Sequence, residues 1–303
     1  MAITLQESLR GLFYAPFYVA LAHDAYAAEG VEVRFVSSPR PSDAARNVLD
    51  GTVDVCWGGP MRIMQAYQQM PDCDLVSFAE VVTRDPFLLL GREARPGFAL
   101  RDLLGLRVAT VSEVPTPWMC LQEDLRRAGI APADLTRVAD RSMADNVAAL
   151  RRGEVDVVQV FEPFAAALEA DGAAHVWYAQ GSRGLTSYTT FYARRGLLTD
   201  RREELLRMVR AMARTLRWVA EADGGAIAAA VVGYFPDVPG DILASACSRY
   251  KALGIWSTDP HLPRAGYDRL RASLISGGFV APGTDYEVAV DNSLADVVMA
   301  ERR

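Results

Sequence analysis

The strongest constraint on this chain is a repeat. The stretch Asp50-Gly51-Thr-Val-Asp54-Val-Cys-Trp-Gly-Gly-Pro60 returns as Arg152-Gly153-Glu-Val-Asp156-Val-Val-Gln-Val-Phe-Glu-Pro163. In both copies glycine precedes aspartate by three positions, and a proline follows the aspartate by six and seven positions. Each copy is approached through the same signals: a helix stopped by glycine (Gly30, Gly129), a strand, then a second helix. Each unit thus reads as alternating helix and strand, which implies mostly parallel sheets with helices on their faces. In open parallel sheets ligands sit beyond the carboxyl ends of the strands, near helix N-termini. Two facing units aim two such edges at one cleft, where the loops at 11–16, 57–60, 112–118 and 161–164 are expected to meet.

Read along the chain, strands are expected at Ile3–Glu7, Val31–Val36, Val53–Trp57, Asp74–Glu80, Pro86–Gly91, Leu106–Val111, Val155–Phe161 and Ser187–Ala193. Helices are expected over Pro16–Glu29, from Ser42-Asp43 to Gly51, over Pro117–Ala128, and from Ser142 to Gly153. Leu205, Val209, Met212, Leu216 and Val219 mark a long amphipathic helix, and three more follow at Asp241–Leu253, Pro263–Ser276 and Asp291–Glu301.

The ordered series Gly11-Leu-Phe-Tyr14-Ala-Pro16, Glu29-Gly30-Val-Glu-Val33, Gly51-Thr-Val-Asp54, Gly58-Gly59-Pro60, Gly105-Leu-Arg-Val-Ala109 and Phe161-Glu162-Pro163 resembles a known group. It is similar to solute-binding proteins of the nitrate, sulfonate, taurine and thiamine-precursor branch. The resemblance implies the α/β, two-lobed type II periplasmic-binding-protein fold, with mixed, mostly parallel sheets, flanking helices and a helical C-terminal segment. It implies one lobe from 1–85 and 194–303, a second from 86–193, and hinge strands near 80–92 and 186–193. It further implies a monomer that traps a small planar or anionic ligand by closure and hands it to an ABC transporter permease.

The expected ligand contacts are Phe13, Tyr14, Trp57, Gly58, Gly59, Thr116, Trp118, Phe161, Glu162 and Tyr188. Phe13 and Tyr14 precede a helix and offer ring faces for stacking; otherwise one fills the core. Trp57 ends a strand on the same rim, and Gly58 and Gly59 permit close backbone approach or simply turn. Thr116 reads as a helix cap, with free N–H groups suited to an anion, and Trp118 follows it. Phe161 and Glu162 end the second strand, where the carboxylate suits an amine or amino-pyrimidine, or is merely solvated. Tyr188 lies on a hinge strand.

Composition narrows the alternatives. A net charge of −6 and a pI near 5.2 argue against nucleic acid, whose binding needs a clustered basic surface. No apolar run reaches the roughly 20 residues of a membrane span. Cys56, Cys73, Cys120 and Cys247 are too dispersed for a zinc site or a disulfide framework, so no metal or cofactor is expected. The start lacks a signal-peptide pattern, which places the chain in the cytoplasm, or in the periplasm if a leader has been removed. The rival reading is a cytoplasmic enzyme on this fold, a decarboxylase or a cysteine hydrolase acting on an aromatic acid through Cys56 or Cys120. A pyridoxal-dependent pyrimidine synthase is disfavoured, because Lys251 is the sole lysine and lies in the helical tail.

Overall fold

The computed structural model describes residues 2–70 and 72–301. The chain builds two five-stranded sheets. The first runs β2–β1–β3–β10–β4, from β1 (Ile3–Glu7), β2 (Val33–Ser37), β3 (Val55–Gly58), β4 (Leu75–Val82) and β10 (Thr189–Arg194). The second runs β7–β6–β8–β5–β9, from β5 (Leu88–Gly91), β6 (Arg107–Ala109), β7 (Thr136–Val138), β8 (Val157–Val160) and β9 (His175–Ala179).

The two sheets match position for position. In each, three strands pair in parallel (β1 with β2 and β3; β6 with β7 and β8). The fourth position is taken by the strand arriving from the other sheet, β10 or β5, and the fifth by the strand about to leave, β4 or β9; these pairings are antiparallel. The sheets are therefore evenly mixed rather than mostly parallel, because the chain passes between them at 83–87 and returns at 180–188.

The repeated aspartates explain the repeat physically. The Asp54 carboxylate accepts the Thr4 N–H at 2.8 Å, and the Asp54 N–H donates to the Thr4 carbonyl at 3.1 Å. Asp156 makes the same pair with Arg107, at 2.8 and 2.9 Å. Each aspartate thus staples the entry of β3 or β8 to its parallel neighbour. Gly51 and Gly153 precede them at φ of 71° and 74°, a left-handed turn that glycine enters without steric cost.

Helices cover the faces. They are α1 (Ala15–Ala22), α2 (Ala25–Ala28), α3 (Ala44–Leu49), α4 (Pro60–Gln69), α5 (Thr116–Arg127), α6 (Met143–Arg151) and α7 (Phe164–Ala170). After β10 come α8 (Arg195–Asp200), α9 (Arg202–Glu221), α10 (Gly224–Val231), α11 (Gly240–Ala252), α12 (Arg264–Ser276), α13 (Tyr286–Ala289) and α14 (Ser293–Ala300). The expected single helix over Pro16–Glu29 is broken between α1 and α2, where Asp24 adopts φ 50°; aspartate tolerates that conformation better than most side chains. Helices α4, α7 and α10 and strand β9 had no counterpart in the sequence reading. Helix α9 carries the periodicity seen in sequence, with Leu205, Val209, Met212, Leu216 and Val219 buried.

Candidate functional site

One hollow collects loops from both sheets. Its walls are Ser8, Leu9, Phe13, Tyr14, Pro41, Gly59, Met61 and Arg62 from the first sheet's side, Val114, Thr116 and Phe161 from the second, and Phe87 and Tyr188 on the two connecting segments. Larger hollows of about 710 and 440 Å³ exist, but neither gathers loops of both sheets.

The rings pack against each other across the gap. Phe13 meets Phe161 edge-on at 5.3 Å and Tyr188 at 6.2 Å, and Phe161 meets Phe87 at 5.4 Å. The space left between them is only about 40 Å³. That is room for about one water molecule, against the several hundred Å³ of a usual organic-ligand site. The rings leave little room between the two sides in this arrangement.

Polar groups converge on the apolar hollow. The Tyr14 hydroxyl lies 3.1 Å from Ser8 Oγ. The buried Tyr188 hydroxyl has no hydrogen-bond partner among the described residues, and burial pushes its pKa up. Among the described residues, Arg62 is the one cation on the wall. It stands in the first turn of α4, donates to Gln65 Oε1 at 3.3 Å, and has no carboxylate partner among the described residues. Burial pushes its pKa down. A half-buried guanidinium without a counter-ion, at the positive end of a helix, is suited to an anion.

Of the ten residues singled out in sequence, Phe13, Tyr14, Gly59, Thr116, Phe161 and Tyr188 line this hollow. Gly59 is a position where a Cβ would come within 3.1 Å of the Tyr188 carbonyl, a tight contact that a larger residue would have to relieve by a shift of a few tenths of an ångström. The other four are placed elsewhere. Trp57 is wholly buried in the first core, stacked between Phe17 at 4.6 Å and Phe35 at 5.3 Å. Gly58 is packed against Tyr192 and Ser8. Trp118 belongs to the second core, with the Arg137 guanidinium 4.1 Å over its ring. Glu162 has no exposed surface and faces α11, paired with Arg249. Thr116 also departs from its expected role. It is the first residue of α5 rather than the cap, which falls on Pro115 without a side-chain bond, so its hydroxyl is not spent on capping.

Sequence reasoning missed Arg62, because it expects a loop at 57–60 and assigns no element to 61–69. The signal was present: Pro60 at a first helical position, then buried Met61, Ile63, Met64 and Ala66. Cys56 and Cys120 are wholly buried and outside the hollow; burial pushes the Cys56 thiol up to about 12 and raises that of Cys120 as well.

The chain as a whole resembles known proteins. The family model described as "NMT1/THI5 like" matches residues 13–226. The YtlA protein of Bacillus subtilis (strain 168), whose name assigns it to the binding proteins, is 24% identical over 302 residues, covering 99% of this chain and 90% of that protein. The alkanesulfonate-binding protein SsuA from Xanthomonas axonopodis pv. citri, solved with MOPS, superposes with a TM-score of 0.72 at 17% identity, covering 96% of this chain and 98% of that one. The desulfurization enzyme DszB superposes with a TM-score of 0.70 at 15% identity, covering 99% and 100%.

Proposed function

Because the chain belongs to the NMT1/THI5-like family, we propose that it is a solute-binding protein that captures a small aromatic or heterocyclic anion between its two sheets, for delivery to an ABC-type permease outside the cytoplasm. The observation that carries this reading is the shared hollow, with rings on both walls and an arginine that has no carboxylate partner among the described residues. The ring of the ligand would lie among Phe13, Phe161 and Tyr188. Its charge would sit at Arg62 and the first turn of α4, with the Tyr188 and Thr116 hydroxyls in reach.

Capture then needs the walls to part, since no ring fits in about 40 Å³. The connecting segments suit a hinge. Arg183 pairs with Asp85 at 2.5 Å and with Asp124, and Gln180 donates to Asp85 at 2.9 Å. Both crossings are thereby tied to the second sheet's side, which leaves 83–84 and 184–188 to absorb the rotation. With the hinge there, residues up to 82 and those from 189 onward, which carry β10 of the first sheet, would move as one body and 85–183 as the other, ligand shifting the population toward the closed form.

Calorimetry with benzenesulfonate, MOPS and neutral benzamide tests the reading. Micromolar binding of a sulfonate corresponds to about −8 kcal/mol. Arg62→Met should weaken it ten-fold or more, in line with about 1.5–3 kcal/mol for a charge-assisted hydrogen bond, and leave benzamide unaffected. Saturable binding of benzamide but of neither sulfonate, or a sulfonate affinity indifferent to Arg62, overturns the anionic assignment. The family and the hollow without a lining cysteine or histidine favour binding over turnover.

A further inference from the structure

What holds the two walls together lies outside the hollow. Helix α11 is fixed to the body that carries Phe13: it packs on α10, which packs on α1. Its Tyr250 ring meets Trp256 at 5.9 Å, and Trp256 Nε1 donates to the Phe13 carbonyl at 2.9 Å. Facing it is the rim of the other sheet, where Phe161 forms the wall and Glu162 follows. The Glu162 N–H donates to Tyr250 Oη at 2.8 Å, and its Oε2 accepts from the Ala166 N–H at 2.8 Å, in the first turn of α7. Its Oε1 lies 2.9 Å from Arg249 Nη1, and the same guanidinium pairs with Glu169 of α7.

One arginine of the first body therefore meets two carboxylates of the second, immediately behind an aromatic residue of the candidate site. Glu162 is fully enclosed. A carboxylate so placed is tolerated only while its counter-ion stays. Without Arg249 that charge is relieved by taking up a proton in place or by separation of the bodies, and either way the tie between α11 and the Phe161 rim is lost.

We propose that Arg249 is a positioning residue: its pairing with Glu162 and Glu169 clasps the Phe161 wall to α11 and biases the protein toward the closed arrangement, which sets how much of it is competent to retain ligand. This rests on the reading of the hollow as a binding cleft. The clasp itself can be measured without any ligand.

Spin labels at Asp50→Cys and Asp134→Cys, both exposed and on different bodies, report the separation, since the four native cysteines are buried. The otherwise native chain should give one short distance population. Arg249→Met should raise the longer-distance population about ten-fold, Arg249→Lys should largely restore the short one, and Glu162→Gln added to Arg249→Met should change little more, as expected for coupled partners. A folded Arg249→Met protein with unchanged distances overturns the clasp, as does full additivity of the two substitutions. If Arg249→Met does not fold, Glu162→Gln alone decides: a shift to longer distances supports the clasp and unchanged distances refute it. A shift in distances with no sulfonate binding would leave the clasp standing and sink only the ligand assignment.

Discussion

Glu80, near the end of β4, has no exposed surface, and its Oε2 accepts a bond from Ser257 Oγ at 3.2 Å. Burial pushes its carboxyl up to about 8, with nearby hydroxyls pulling the other way. An unfolded glutamate titrates near about 4.3, so the folded protein holds a proton that the unfolded chain releases. Stability is then full below that unfolded value and is lost as pH rises toward about 8, by up to about 1.4 kcal/mol per pH unit. Glu80→Gln should flatten this slope, and urea midpoints measured from pH 5 to pH 8 check it. A variant as pH-sensitive as the parent would show that Glu80 is ionised in the fold. Arg62 and Glu162 make the complementary pair of cases. Glu162 is fully buried with its counter-ion within the protein, whereas Arg62 is half-buried and has no carboxylate partner among the described residues.

At the scale of elements, the paired aspartates matter most. Asp54 holds the Thr4 N–H at the edge of β1, and that residue is only 8% exposed, so water replaces the carboxylate poorly. Asp54→Ala should cost about 1–3 kcal/mol in chemical denaturation, the range for a buried donor left unpaired. Asp156 is held well below the usual carboxylate range, first by the Arg107 side chain. Its contribution is present above the unfolded value near about 3.9 and is lost as pH falls below it. The sequence revealed this element pair because the geometry is local: glycine stop, strand entry and staple lie within a few residues. It concealed α4, since a proline after two glycines reads equally well as a loop or as a first helical turn, and Arg62 was concealed with it.

For the whole molecule, on the proposed reading a hollow of about 40 Å³ makes ligand entry follow opening. Stopped-flow tryptophan fluorescence should therefore show a binding rate that levels off as benzenesulfonate concentration rises, at the rate of opening. A rate that climbs linearly without a plateau would place the open form at rest.

The sequence by itself determined the repeated helix–strand unit, the doubling into two sheets and the aromatic character of the loops at 13–14 and 161, because these follow from residue spacing and from turns only glycine makes easily. Only the tertiary structure decided which side chains face the gap. Trp57 and Phe13 are both rim aromatics in sequence, yet one stacks between Phe17 and Phe35 and the other meets Phe161. The same holds for the charges: Glu162 turns toward Arg249, 87 positions away, and Arg62 toward the hollow. Burial and pairing depend on contacts between distant segments, and a linear pattern carries no record of which distant partner arrives.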